Sequence, residues 1–222
     1  MTRIGVVLSG CGFLDGSEIH EAVLTLLHLD QRGVEVVAMA PRGPQHHVVD
    51  HRTGAEAPGE VRDMLAESAR LVRGRIVDLA SVAADALDGL VLPGGFGAAK
   101  NLSDFAFQGA AAKVHPDLRQ LLQAVHARKR PIGALCIAPA ILAVVLGRTG
   151  PLLTIGNDAG TAAALHSCGA QHRDCAVTDC VVDRELRLVT TPAYMYDARI
   201  HEVSLGIGKL VDAVLALAHE SA

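Results

Sequence analysis

The chain has 222 residues, with 20 Lys and Arg against 24 Asp and Glu and a formal net charge of −4. Half of its residues are apolar and a fifth are charged, which excludes intrinsic disorder and suits one domain, residues 1–222, with a sizeable core. The slight acidic excess gives no general reason to bind nucleic acid or an anionic membrane, and no window supplies the roughly 20 uninterrupted apolar residues of a transmembrane helix.

The first apolar run, residues 4–8, reads as a buried strand. The following Leu8-Ser9-Gly10-Cys11 imitates a lipoprotein processing site, but the run is shorter than the roughly 7–15 residues of a signal core. A helix is predicted over residues 17–32, closed by Gly33, and a strand over 34–39. Residues 47–51 with Thr53-Gly54 suggest a short strand and turn. Further helices are predicted at 60–72, 117–128, 137–146 and 161–168, and strands at 89–92, 132–135 and 152–155. Residues 176–182 and 186–191 flank Asp183-Arg184-Glu185 as an antiparallel hairpin, and a helix over 197–219 closes the chain. The strands lack polar alternation, as in parallel sheets covered on both faces, so the pattern sums to a three-layer α/β sandwich.

Five cysteines (Cys11, Cys136, Cys168, Cys175 and Cys180) form no C-x-x-C pair, a poor basis for zinc or a disulfide framework. Reduced thiols in a cytosol are the simplest account, so a cytoplasmic protein is expected. The eleven histidines complete no metal motif: His20-Glu21 and His201-Glu202 only begin like H-E-x-x-H. The third glycine of Gly10-Cys11-Gly12-Phe13-Leu14-Asp15-Gly16 falls one residue late for a dinucleotide turn, and the next strand ends in Ala40-Pro41 without a ribose-binding acid. No cofactor or metal is expected.

The most informative segment is Pro131-Ile132-Gly133-Ala134-Leu135-Cys136-Ile137-Ala138-Pro139-Ala140, where a buried strand runs straight into a helix. Such a junction exposes the Cys136 side chain above the carboxyl edge of the sheet, and the helix end would favour its thiolate. A cysteine packed as a small hydrophobe gives the same pattern. Leu92-Pro93-Gly94-Gly95 ends the preceding buried strand, and the amides of Gly95 and Ile137 together could hold an oxyanion. Asp15 and Glu18 have capping-box spacing. Glu21 lies opposite the Ile19, Val23 and Leu26 stripe, so the helical wheel places it in solvent.

These segments, with Asn101-Leu102-Ser103 and Val189-Thr190-Thr191-Pro192-Ala193-Tyr194-Met195, resemble the ThiJ/PfpI superfamily of class I glutamine amidotransferase-like proteins, in particular its ElbB branch, described as glyoxalases. The resemblance implies a flavodoxin-like sandwich with a mostly parallel sheet, Cys136 on a nucleophile elbow, and a homodimer. It places the family's glutamate on Glu21, against the wheel, with Glu18 as the competing position. Ile137 follows the cysteine and Gly156-Asn157-Asp158 ends the next strand, so no Cys-His-acid triad is legible and a cysteine–glutamate dyad remains, with Asp158 as a helper. The activity implied is cofactor-independent conversion of a small reactive aldehyde, glyoxal or methylglyoxal, to its 2-hydroxy acid through a cysteine hemithioacetal. A non-catalytic redox sensor or interaction protein on the same scaffold is the alternative, and an amide or ester hydrolase ranks last for want of a base.

Overall fold

The computed structural model describes residues 1–220. Its strands are β1 Arg3–Val7, β2 Glu35–Ala40, β3 Val49–Asp50, β4 Ala55–Glu56, β5 Val77–Asp78, β6 Gly89–Leu92, β7 Ile132–Leu135, β8 Leu152–Leu153, β9 Gln171–His172, β10 Val181–Asp183 and β11 Leu188–Thr191. Its helices are α1 Ile19–Gln31, α2 Met64–Leu71, α3 Phe96–Lys100, α4 Phe105–Gln108, α5 Pro116–Ala127, α6 Pro139–Leu146, α7 Ala159–Ser167 and α8 Ile200–His219. Seven strands form the central sheet in the order β10-β11-β7-β6-β1-β2-β5, parallel except for the β10–β11 pair. The three-layer, mostly parallel architecture expected from the pattern is the one observed.

Alternate side chains of the buried strands feed two separate cores. Ile4, Val6, Leu8, Val91, Leu135 and Val189 pack on one face with α1 and α8, while Val7, Leu90, Leu92, Ile132 and Ala134 pack on the other with α5 and α6. Helix α5 shows why the period works: Leu118, Leu121, Leu122 and Val125 recur on one stripe and are buried, and Pro116 opens the helix where no backbone donor is needed. Burying each of the fully enclosed leucines contributes about 1.5–3 kcal/mol.

Of the strand expected over 176–182 only 181–182 is extended, as part of β10, because 177–178 form a turn. Two further expectations change. Residues 152–155 do not join the central sheet, because β8 pairs in parallel with β9 as a separate two-stranded ribbon. The residues 137–138 do not begin α6 either: Pro139 starts it, and the preceding residues form a turn. Both changes lie next to the carboxyl edge of the sheet, where an open α/β fold places its sites.

Candidate active site

Three strand ends converge at the carboxyl edge. β7 runs into Cys136, whose φ of 56° lies in the left-handed region that side chains seldom occupy. Its backbone N–H donates to the Thr191 carbonyl at 3.0 Å, which ties the elbow to the end of β11. β6 is followed by Pro93, Gly94 and Gly95, and a Cβ on Gly94 would stand 2.5 Å from the Cys136 Cβ and 2.8 Å from Glu21 Oε2. Only glycine leaves room there for both side chains. Gly95 has a φ of 90° and sits against the Gly16 carbonyl and the Glu18 amide, so a side chain is excluded on two counts.

Glu21 fills the space that Gly94 leaves. Its Oε2 accepts the Gly94 N–H at 2.8 Å and its Oε1 accepts the Tyr194 N–H at 3.2 Å. The Cys136 side chain approaches the same Gly94 position, so the thiol and the carboxyl group act on each other electrostatically, and the amides of Gly95 and Ile137 act on the sulfur. The site residues named from sequence as nucleophile, acid and oxyanion amides are therefore neighbours. The helical-wheel expectation for Glu21 fails: it is 0% exposed, whereas Ile19 and Val23 are 42% and 45% exposed. Helix α1 packs on the sheet through Ala22 and Leu29, with Glu21 and Thr25 buried beside them, which turns the expected apolar stripe outward.

Glu18 has a structural place beside this pair. It is the N-cap of α1 and accepts the Glu21 N–H at 2.6 Å, while its own N–H donates to the Gly94 carbonyl at 3.0 Å. Asp158 does not help: it caps α7 by accepting the Thr161 N–H at 2.7 Å, and its carboxylate is exposed. Among the described residues no group of three His, Cys, Asp or Glu side chains comes together as a metal site. His172, which the sequence sets near Cys168, Cys175 and Cys180, instead accepts the Ile155 N–H at 3.3 Å and lies 3.6 Å from Asp174.

The electrostatics correct the expected thiolate. Burial pushes the Cys136 thiol well above its ordinary value and the adjacent Glu21 pushes it further, while the Gly95 and Ile137 amides pull the other way and lose. Burial, then the Glu18 carboxylate, raises Glu21 to about 8 against the two backbone donors. At neutral pH the pair therefore rests with both groups protonated. Helix α6 begins three residues beyond Cys136, so its positive end does not outweigh burial at the sulfur.

Sequence reasoning assigned no role to two further groups at this edge. Tyr194 follows Ala193, whose φ is 45°, and that turn aims its amide at Glu21. Its phenol oxygen lies 3.0 Å from His20 Nδ1, so the residue beside Glu21 in α1 is bonded to the residue that holds Glu21. The Pro192-Ala193 step carried the only signal for it. A glycine-rich lid braces the other side: Phe96 N–H donates to the Phe13 carbonyl at 2.7 Å, Gly97 N–H to the Gly16 carbonyl at 2.8 Å, and the Asn101 amide to the Ser9 and Asp15 carbonyls.

A strained cysteine elbow after a central parallel strand, facing a buried glutamate and two amides, defines a protein of the class I glutamine amidotransferase-like, ThiJ/PfpI type. No protein-family model matches the chain. It is 45% identical to the rat "ES1 protein homolog, mitochondrial", over 97% of this chain and 84% of the rat protein. It is likewise 45% identical to the human "Glutamine amidotransferase-like class 1 domain-containing protein 3, mitochondrial", over 97% of this chain and 83% of the human one. The crystal structure of an isoprenoid biosynthesis protein with an amidotransferase-like domain from Ehrlichia chaffeensis matches with a TM-score of 0.92 and 36% identity, covering 98% of this chain and 99% of that one. The chain belongs to the ES1 family of class I glutamine amidotransferase-like proteins. The cytoplasmic expectation is overturned by the same relatives, which are named mitochondrial proteins. Unpaired thiols do not tell one reducing compartment from another, so the cysteine pattern could not have decided it.

Proposed function

We propose that the protein is a cofactor-independent glyoxalase of the ElbB type, in which Cys136 is the nucleophile and Glu21 the proton carrier. The observation that carries this reading is the juxtaposition of an elbow thiol at a φ of 56° with a fully buried glutamate, both side chains converging on Gly94. Losing one proton leaves a single hydrogen shared between sulfur and carboxyl, and the titration belongs to the pair. In that form sulfur attacks one aldehyde carbon of glyoxal while Glu21 gives its proton to the carbonyl oxygen, yielding a hemithioacetal and a carboxylate. The amides of Gly95 and Ile137, released from sulfur as the C–S bond forms, receive the developing oxyanion. The Glu21 carboxylate then removes the hydrogen on the carbon that bears sulfur and returns it to the neighbouring carbon through an enediol. The product is a glycolyl thioester, and water releases glycolate and restores the thiol; methylglyoxal gives lactate by the same sequence. The overall change is aldehyde plus water to hydroxy acid, balanced with no external oxidant or reductant.

The rival reading, a redox sensor, draws on the same thiol, but oxidation to a sulfenic acid needs no proton carrier, whereas the glyoxalase sequence uses the Glu21 carboxyl beside the sulfur. The test is to incubate the purified, metal-free protein with glyoxal and no glutathione, following both compounds by proton NMR. Glycolate should appear as fast as glyoxal disappears. Loss of glyoxal without acid, or no loss above the buffer rate, removes the proposal.

A further inference from the structure

We propose that Cys175 and Cys180 form a closable dithiol, which a low-molecular-weight disulfide converts into an intramolecular bridge. The two residues flank a β-turn in which the Asp179 N–H donates to the Ala176 carbonyl at 3.0 Å. Ala176 and Asp179 thus face each other, and the cysteines are the next residues outward on each arm. A chain that reverses this tightly brings its two arms toward each other, and a disulfide needs a Cα separation of roughly 4.4–6.8 Å. The turn is pinned from three sides. Thr191 Oγ1 donates to the Asp179 carbonyl at 2.7 Å, Lys209 Nζ pairs with Asp179 Oδ1 at 3.1 Å, and the Tyr196 hydroxyl donates to the Cys175 carbonyl at 2.9 Å. Both thiols are free and half-buried, and Cys180 packs against the core under α8.

The chemistry follows from that asymmetry. The more accessible Cys175 attacks glutathione disulfide, breaking its S–S bond and releasing one glutathione thiolate. Cys180 then attacks the Cys175 sulfur of the mixed disulfide and expels the second. Two protein thiols are oxidised, one glutathione disulfide is reduced to two glutathiones, and the protein's two protons pass to them. Burial, then the Asp179 carboxylate, raises both thiols to about 11, against the opposing charge of Lys209, with Arg173 also lowering Cys175 and Asp212 also raising Cys180. Closure is therefore slow at neutral pH and quickens with alkali or with removal of the Asp179 charge. Thr191 links this turn to the elbow, since its hydroxyl holds Asp179 and its carbonyl accepts the Cys136 N–H.

Both cysteines lie in one tryptic peptide, residues 174–184, which makes the outcome direct to read. The full chain is incubated with glutathione disulfide at pH 8, quenched in acid, alkylated and mapped by mass spectrometry. The expected product is that peptide two hydrogens lighter and closed to alkylation at both positions. Cys180→Ser should halt Cys175 as its glutathione adduct, and Asp179→Asn should close at least about threefold faster, as a lower thiol pKa requires. Independent adducts on both cysteines of the wild type, or a bridge from either one to Cys11, Cys136 or Cys168, would overturn the proposal.

Discussion

Replacing Cys136 by alanine is expected to lower kcat/KM for glyoxal by at least about 10³-fold, to a rate near that of buffer. The loss is this large because covalent capture precedes every later step. The other four free cysteines lie elsewhere in the fold: Cys11 in the lid, Cys168 after α7, and Cys175 and Cys180 around the turn before β10. The fold should survive the change. Alanine at a φ of 56° meets no more strain than cysteine, and the amides that face sulfur lose only a weak acceptor, at about 1–3 kcal/mol. Cys136→Ser is the companion variant: its hydroxyl keeps an acceptor for the Gly95 and Ile137 amides, so thermal unfolding should stay close to wild type while turnover stays low. Turnover by NMR and melting by differential scanning calorimetry read the two effects separately. Undiminished glycolate formation in Cys136→Ala would remove the covalent mechanism.

The second large effect is on stability against pH. Glu21 has a folded-state pKa of about 8, against an ordinary value of 4.5. Between these limits the native chain keeps a proton that the unfolded chain has released, so stability falls as pH rises. It is fully present below about pH 4.5, lost progressively through neutral pH, and level above about 8. A shift of this size corresponds to a decline on the order of 5 kcal/mol across the window. Glu18, raised by its own burial, adds to the slope in the same direction, while His28, His126 and His172, each lowered by burial, oppose it below about pH 6.5. Asp50, Asp78, Asp158 and Asp212 are held low by their hydrogen-bond partners, so their contributions are lost only in acid, below the window. Glu21→Gln has no proton to lose and should flatten most of the slope. Urea unfolding at pH 5, 6, 7 and 8 measures it, and equal slopes in the two proteins would mean that Glu21 does not rest protonated.

The sheet was legible in the sequence because doubly covered parallel strands are continuous apolar runs, and β6 and β7 have the expected bounds. The failure at residues 152–155 has the same root: a short apolar run does not say which sheet it joins. Glu21 shows a different limit. A helical wheel assumes that the most apolar stripe faces the core, yet α1 packs on the sheet with α8 at its side, and small residues such as Ala22 let it approach closely. The true signal for the carboxylate's position sat on another element, in the missing side chain of Gly94. The lowered thiol pKa was misread because desolvation depends on the core packed around Cys136 and on the buried carboxyl, neither of which spacing reveals. Tyr194 enters through its backbone amide, which any residue type carries, so its identity could not announce the role.

The coupling between Cys136 and Glu21 is measured most directly by the pH profile of Cys136 alkylation with iodoacetamide, followed by peptide mass in wild type and Glu21→Gln. Glu21 pushes the thiol upward, so removing the carboxyl should move the midpoint down. The midpoint, unlike the absolute rate, does not depend on how freely the reagent enters. Superimposable profiles in the two proteins would contradict a shared proton, and with it the dyad.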